Sequence, residues 1–360
     1  MKILISDGMH ESGLSMLRAA RGVEVDAPDQ PSADEIMERL PDCDALVVRS
    51  RTKVTDDLLQ RAVRLKVVGR AGTGVDNIDV QAASNRGILV MNTPGANAMA
   101  AAEHSLAMMF ALARHIPQAT QSMREGRWDK KIFTGTELYE QTLGIIGLGK
   151  IGSIVADRAL CLKMEVIGYD PYIIPEAAAV MGVECVSLDE LLERSDFITL
   201  HTPMTAETRS IISREALRKV KPGVRIINCA RGGLIDEEAL YEALLEKRVA
   251  GAALDVFAQE PPTASPLLGL QNVIFTPHLG ASSVQAQANV ARTIASQILD
   301  YLQLGIIRNA VNFPSIRAKD YERIRPYLAL AACRGSFSPP SSGSRSSTAV
   351  RNFRSFPCSR

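Results

Sequence analysis

The stretch TLGIIGLGKIG, Thr142 to Gly152, decides the reading of this 360-residue chain. Apolar, β-forming residues run directly into a glycine-spaced turn, and a helix-like pattern follows. Each glycine answers a separate demand: Gly147 permits the tight turn, Gly149 lets the backbone approach a pyrophosphate, and Gly152 lets helix and strand pack closely. The phosphates would then sit at the helix N-terminus, where free N–H groups and the helix dipole favour anions. The fingerprint lies mid-chain, so the long segment before it must form something other than the start of a nucleotide domain. A second lobe is the simplest reading.

Outward from the fingerprint, short β-rich runs alternate with helix-like segments, the signature of parallel sheets covered by helices. Before it come Lys2–Ser6, Val23–Val25, Ala45–Val48, Lys66–Val68 and Ile88–Val90, enough for one small α/β sheet. The segment Asn97–Arg114 carries Leu106, Met109, Phe110 and Ala113 at helical spacing and reads as a connecting helix. From the fingerprint onward come six strand-like runs, Leu143–Ile146, Glu165–Tyr169, Phe197–Leu200, Arg225–Asn228, Gly251–Asp255 and Val273–Phe275, a complete doubly wound sheet. Ser282 and Ser283 can cap a long helix that runs to about Leu304, and Gly305 is placed to end it. That helix could carry the chain back to the first lobe.

The strand Val166–Tyr169 ends at Asp170, 23 positions after Gly147. A Rossmann domain places there the carboxylate that binds the adenosine ribose hydroxyls, and such an acid repels the extra phosphate of NADP. NAD is therefore the expected cofactor. Three further polar residues stand at the ends of later strands: Arg231 in NCARGGLID, Glu260 in DVFAQEPP and His278 in TPHLGASS. Ligands of open α/β sheets bind at those carboxyl ends. An arginine fork suits a carboxylate, an imidazole can accept a proton near neutral pH, and a carboxylate can orient that imidazole and raise its pKa. Together they suit oxidation of a 2-hydroxy acid. Singly, Arg231 reads equally as a helix cap or a partner of Asp236, and Glu260 as an ordinary loop acid. His104 and His115 belong to the connecting helix and its end, His10 to an early loop, and His201 reads as structural.

Bulk properties exclude other classes. No apolar run reaches the roughly 18 residues a membrane helix needs, and MKILISDGM enters a strand-like run without a leader pattern. The six cysteines (Cys43, Cys161, Cys185, Cys229, Cys333, Cys358) show no paired metal spacing, which fits free thiols, no metal and a cytoplasmic location. Removing the seven arginines after Glu322 from the 41 basic residues leaves 34 against 40 acidic ones, a balance of −6 over Met1 to Glu322. A mildly acidic body argues against nucleic acid as a partner. The last segment, RGSFSPPSSGSRSSTAVRNFRSFPCSR, is rich in Ser, Arg and Pro without apolar periodicity and is expected to be disordered.

Taken together, GLGKIG with Asp170, NCARGGLIDEEAL, DVFAQEPP and TPHLGASS resemble the D-isomer-specific 2-hydroxyacid dehydrogenases. VVRSRTKVT (Val47–Thr55) and VGRAGTGVDNIDV (Val68–Val80) resemble, within that family, the branch acting on 3-phosphoglycerate. The resemblance covers about Met1 to Ala332. It implies two doubly wound α/β domains, a Rossmann nucleotide domain (96–282) inserted into a flavodoxin-like substrate domain (1–95 plus 283–315). It implies Arg231 as the substrate-orienting arginine, His278 as acid/base and Glu260 as its partner. It adds cofactor contacts at Thr73, Lys150, Ile151, Thr202, Cys229, Ala230, Asp255 and Gly280 to those of Gly147, Gly149, Gly152 and Asp170. A homodimer or homotetramer is implied as well, since the connecting helix is like the family's dimer-forming element.

Arg49, Arg51, Lys53 and Arg70 lie on loops directly after two first-lobe strands, where guanidinium groups can cradle a phosphate. Arg51 and Lys53 read equally as a solvated basic surface; Arg49 and Arg70 match the phosphoglycerate motifs. The implied reaction is NAD-dependent oxidation of 3-phospho-D-glycerate to 3-phosphohydroxypyruvate, which enters serine synthesis. The alternatives are another D-2-hydroxyacid dehydrogenase of the same family (acting on glycerate/hydroxypyruvate, glyoxylate or lactate) and an NAD(H)-sensing binding module, which would not need an acid/base pair. Residues 316–333 resemble the start of a longer form's C-terminal extension, which carries serine-binding regulation. The abrupt shift of composition at about Cys333, before the 334–360 tail, suggests a truncated or out-of-frame end and puts that feedback in doubt.

Overall fold

The computed structural model describes residues 1–313. The expected extension (316–333), the tail (334–360), the suggested out-of-frame end and the last two positions of the 283–315 segment lie outside the described residues.

The first sheet holds β1 (Lys2–Ile5), β2 (Glu24–Asp26), β3 (Ala45–Val48), β4 (Val67–Arg70) and β5 (Leu89–Met91) in the order β2-β1-β3-β4-β5. All neighbours are parallel, which is the flavodoxin-like order. Strand alternation divides the side chains between two cores. Leu4, Leu46, Val48, Val68 and Val90 fill one face, while Ile3, Ile5, Ala45, Val47 and Val67 fill the other. Burial on both faces explains why these strands read as unbroken apolar runs.

The long helix Val284–Leu304 closes the second of those cores with Val290, Ile294, Ala295 and Ile298. Ser283 caps its start by accepting from Ala286 N, and Gly305, at φ 70°, ends it. The helix lies so close to β4 that a Cβ on Gly69 would stand 2.6 Å from Ile298 Cδ1. Each of its buried isoleucines contributes roughly 1.5–3 kcal/mol relative to exposure. The chain thus returns to its first sheet after building the second.

The second sheet holds β6 (Thr142–Ile146), β7 (Glu165–Tyr169), β8 (Glu184–Cys185), β9 (Phe197–Leu200), β10 (Val224–Asn228), β11 (Val249–Leu254) and β12 (Val273–Phe275). The order β12-β11-β10-β9-β6-β7-β8 is doubly wound and parallel throughout, with seven strands rather than the six expected. The extra strand, β8, is two residues long and pairs only Ile167 with Glu184 and Gly168 with Cys185. So short a segment carries no periodicity to read.

The connecting helix is Ala98–Ala113, but its buried face differs from the one the spacing suggests. Ala101, Ala102, Ser105, Met108, Met109 and Leu112 are buried, whereas Leu106 is half-buried and Phe110 exposed. The helix is apolar nearly all round, so hydrophobicity alone does not select the face; what is buried is the side that packs against the helix Lys150–Cys161 and against β10 and β11. Among the described residues no helix is long and apolar enough to cross a membrane.

Candidate active site

The sheet order of the second lobe reverses between β6 and β9, the position where open α/β sheets bind ligands beyond their carboxyl ends. The glycine turn lies there. Gly147 adopts φ 95°, and a Cβ on it would meet Thr202 Cγ2 at 2.8 Å and His201 backbone at 2.9 Å. A Cβ on Gly152 would stand 2.0 Å from Gly147 O, so helix and turn can touch only through glycine. A Cβ on Gly149 would meet nothing within 4 Å, which leaves open space over the turn. Gly149 is also the N-cap of the helix Lys150–Cys161 and supplies no side-chain acceptor to its first N–H groups. The hydroxyl of Thr202 is buried without a partner among the described residues. An anion at this helix end would find donors and room.

Asp170 follows β7 directly and accepts from Leu148 N and Tyr172 N, both at 2.9 Å. It therefore braces the glycine turn, while its remaining lone pairs stay available to hydroxyl groups. Ile151 is half-buried and packs against the core of the second lobe that holds Leu143 and Ile145. Lys150 reaches across to the first lobe and donates to Pro94 O at 3.1 Å. Thr73 donates to Asn97 Oδ1 at 2.8 Å, and Asn92 donates to Thr73 O at 2.6 Å.

At the ends of β11 and β12 stand Asp255 and His278. The His278 backbone sits at φ 55°, an uncommon conformation for a residue with a side chain, and its N–H donates to Asp255 O at 2.9 Å. The Nδ1 of His278 is 2.8 Å from Glu260 Oε2, leaving Nε2 for a substrate hydroxyl. That hydrogen bond is the largest influence on the imidazole and, with the Glu260 charge, raises its pKa above 6.5 against the opposing effect of burial. Burial opposes ionisation of Glu260, but the His278 contact and the Phe257 N–H outweigh it and hold the carboxyl below its usual range.

Asp255 is fully buried. Burial alone would raise its pKa, yet hydrogen bonds from His104, Thr276, Leu279 N and Gly280 N more than offset this. Ligand atoms of His104, Cys229 and Asp255 lie within 4.8 Å of one another. Burial pushes the Cys229 thiol up to about 12, and both Asp255 oxygens are already hydrogen-bonded, one of them facing His104, so the trio is not a ready metal cage.

Arg231 stands after β10 in a turn braced by the Asn228 amide, which accepts from Ala230 N and donates to Arg231 O. Of the two readings open for this arginine, a pairing with Asp236 is not what the structure has. Asp236 caps the following helix by accepting from Ala239 N, and Arg231 Nε donates to Asp76 Oδ2 of the first lobe at 3.1 Å. The guanidinium occupies the space of a Cβ on Gly74, whose ideal position is 2.0 Å from Arg231 Nη2.

Arg70 lies beside it, held by Asn77 Oδ1 at 3.2 Å and Ala71 O at 2.9 Å. Burial, then the charges of Arg231 and Arg49, lower its pKa to about 10. Three guanidiniums that repel one another, partly offset by Asp7 and Asp76, make an electropositive cluster suited to an anion. Arg51 does not join them: it donates to Ser6 O and pairs with Asp7 at 3.4 Å, and Lys53 is exposed. The sequence reading gave no role to His104, Thr276, Asp76, Asn77 or Asn228, although all but His104 lie within the motifs quoted above.

Two parallel sheets, a glycine turn at the switch point of the larger one and a polar crevice between the lobes define a two-lobed α/β protein with a Rossmann nucleotide fold. Residues 106–280 match the family model described as D-isomer specific 2-hydroxyacid dehydrogenase, NAD binding domain. The TT0316 protein of Thermus thermophilus superposes with a TM-score of 0.78 at 34% identity, over 86% of this chain and 100% of that one. The chain belongs to the D-isomer specific 2-hydroxyacid dehydrogenase family. A D-lactate dehydrogenase from Aquifex aeolicus, complexed with NAD and lactic acid, superposes with a TM-score of 0.76 at 28% identity, over 88% of this chain and 100% of that one. Among full sequences, D-3-phosphoglycerate dehydrogenase of Synechocystis sp. is 50% identical over 345 residues, 96% of this chain and 62% of that protein. The chain therefore spans less than two thirds of that relative's length.

Proposed function

We propose that the protein oxidises 3-phospho-D-glycerate to 3-phosphohydroxypyruvate with NAD, a reaction that feeds serine synthesis. The observation that carries this reading is the 2.8 Å His278–Glu260 pair at the carboxyl end of the sheet, with Arg231, Arg70 and Arg49 clustered beside the same crevice. The open space at Gly149, the uncapped helix start and the unpartnered Thr202 hydroxyl fit NAD phosphates, and Asp170 fits the adenosine ribose. Thr73, Lys150, Ile151, Cys229, Ala230 and Gly280 complete the cofactor contacts in this reading, with the buried Asp255 supporting them from beneath through Gly280 N. Residues 1–95 with 283–315 serve as the substrate lobe and 96–282 as the nucleotide lobe.

Bound NAD supplies the acceptor for the hydrogen that leaves C2 with its electron pair. The chain supplies the rest. Arg231 orients the carboxylate, Arg70 and Arg49 take the phosphate, and neutral His278 removes the C2 hydroxyl proton at Nε2. Glu260 stabilises the resulting imidazolium through Nδ1. Approach of the two lobes excludes water during transfer. A homodimer or homotetramer fits the exposed Phe110, Ile116, Met123, Trp128 and Ile132 on and after the connecting helix, and a cytoplasmic location fits the free thiols of Cys43, Cys161, Cys185 and Cys229.

The test is a steady-state assay with NADH and a panel of 2-oxo acids with and without phosphate groups. Turnover that depends on the phosphate supports the reading. Preference for glyoxylate, pyruvate or hydroxypyruvate would move the protein to another branch of the family, and no turnover with any of them would leave NAD(H) sensing.

A further inference from the structure

Asp255 carries the whole His278 turn. Its backbone O accepts from His278 N at 2.9 Å, its Oδ1 from Leu279 N at 2.7 Å, and its Oδ2 from Gly280 N at 2.8 Å. A turn with a non-glycine residue at φ 55° persists only where its surroundings over-determine it. Those surroundings include a residue from a distant part of the chain. His104, on the connecting helix, brings Nε2 to 3.2 Å from Asp255 Oδ1 and 3.1 Å from Thr276 Oγ1. Thr276 Oγ1 itself donates to Asp255 Oδ1 at 2.5 Å.

We propose that His104 is a positioning residue for the reaction read above: with Thr276 it clamps Asp255, and Asp255 in turn sets the His278–Gly280 turn and hence the place of the His278 imidazole. This rests on the proposed dehydrogenase reading for its catalytic consequence, but the clamp itself does not. A fully buried carboxylate needs donors on every side, and without His104 one direction of Oδ1 faces an apolar helix. The imidazole meets that need only if Nε2 carries a hydrogen. A carboxamide of similar reach can do the same, whereas an alkyl side chain cannot. The connecting helix is thereby tied to the acid/base turn by a polar contact as well as by packing.

The experiment compares wild type, His104→Leu, His104→Gln and Thr276→Val in two measurements. Amide hydrogen exchange reads the turn. His104→Leu is expected to speed exchange at Leu279 and Gly280 by about tenfold while leaving β6 and β7 protected, and Thr276→Val, nearly isosteric, to do likewise. NADH-linked reduction of 3-phosphohydroxypyruvate reads the consequence. The kcat of His104→Leu is expected to fall about tenfold with KM within about twofold, and His104→Gln to recover most of it. Unchanged exchange in both His104→Leu and Thr276→Val overturns the clamp, and so does a Gln variant as impaired as the Leu variant, which would mean packing alone. Should His104→Leu fail to fold, Thr276→Val and His104→Gln still decide between these outcomes. If wild type reduces no 2-oxo acid, the dehydrogenase reading fails, while the exchange measurement still decides whether His104 holds the turn.

Discussion

The imidazole of His278 and the carboxylate of Glu260 are 2.8 Å apart, although 18 residues separate them and they follow different strands. The contact favours the charged form of the histidine. Oxidation requires neutral His278, so its rate should rise as pH passes through the raised His278 pKa, and reduction should be favoured below it. Replacing Glu260 by Gln removes the negative charge that favours the imidazolium, so the pH–rate profile should move to lower pH. A profile that stays in place would argue that another group titrates.

Removing the base is more drastic. His278→Ala should lower turnover by about 10²- to 10⁴-fold with NADH binding retained, measurable by fluorescence titration. Unchanged reduction of phosphohydroxypyruvate in this variant would sink the assignment of His278.

Arg231 uses Nε for Asp76 and Nη1 for Ala230 O, so the first lobe and its own turn hold the guanidinium plane. Lysine offers a point charge without a fork. Arg231→Lys should reduce kcat/KM by about tenfold or more for every 2-oxo acid tested, phosphorylated or not. A loss confined to phosphorylated substrates would place the phosphate, not the carboxylate, at Arg231.

Arg70 is the complementary case. In the proposed reading it faces the phosphate, so Arg70→Gln should raise KM for the phosphorylated oxo acid by about tenfold, the worth of a hydrogen bond to a charged group. Glyoxylate or pyruvate should be little affected. Equal effects on both classes would remove the phosphate reading.

The return of the chain to its first sheet depends on close approach at Gly69. A Cβ there meets Ile298 and Ile294, both within a packed core. Gly69→Ala should destabilise by about 1–3 kcal/mol, visible as a lowered Tm. The glycine turn should be less forgiving, because Gly152→Ala drives a Cβ onto the Gly147 carbonyl and should lower both Tm and NADH affinity.

Much of this was legible locally. The strand–glycine–helix run from Thr142, the acid at Asp170 and the Ser283 and Gly305 ends of the returning helix each answer a demand of a few neighbouring residues. Those demands are a positive φ, a close approach or an unpaired N–H. Strands buried on both faces announce themselves as apolar runs. β8 did not, because two residues carry no pattern, and the buried face of the connecting helix did not, because nearly every side of it is apolar.

The sequence by itself determined two parallel sheets, a dinucleotide turn at the centre of the larger one, and the polar residues at its strand ends. Only the tertiary structure decided which partners those residues have. Arg231 meets Asp76 rather than its neighbour Asp236, Arg51 is taken by Asp7, and His104 reaches Thr276 across 172 residues. Local chemistry specifies turns, caps and strands, whereas the direction of a long polar side chain depends on which donors and acceptors packing brings within about 3 Å, a distance no spacing along the chain encodes.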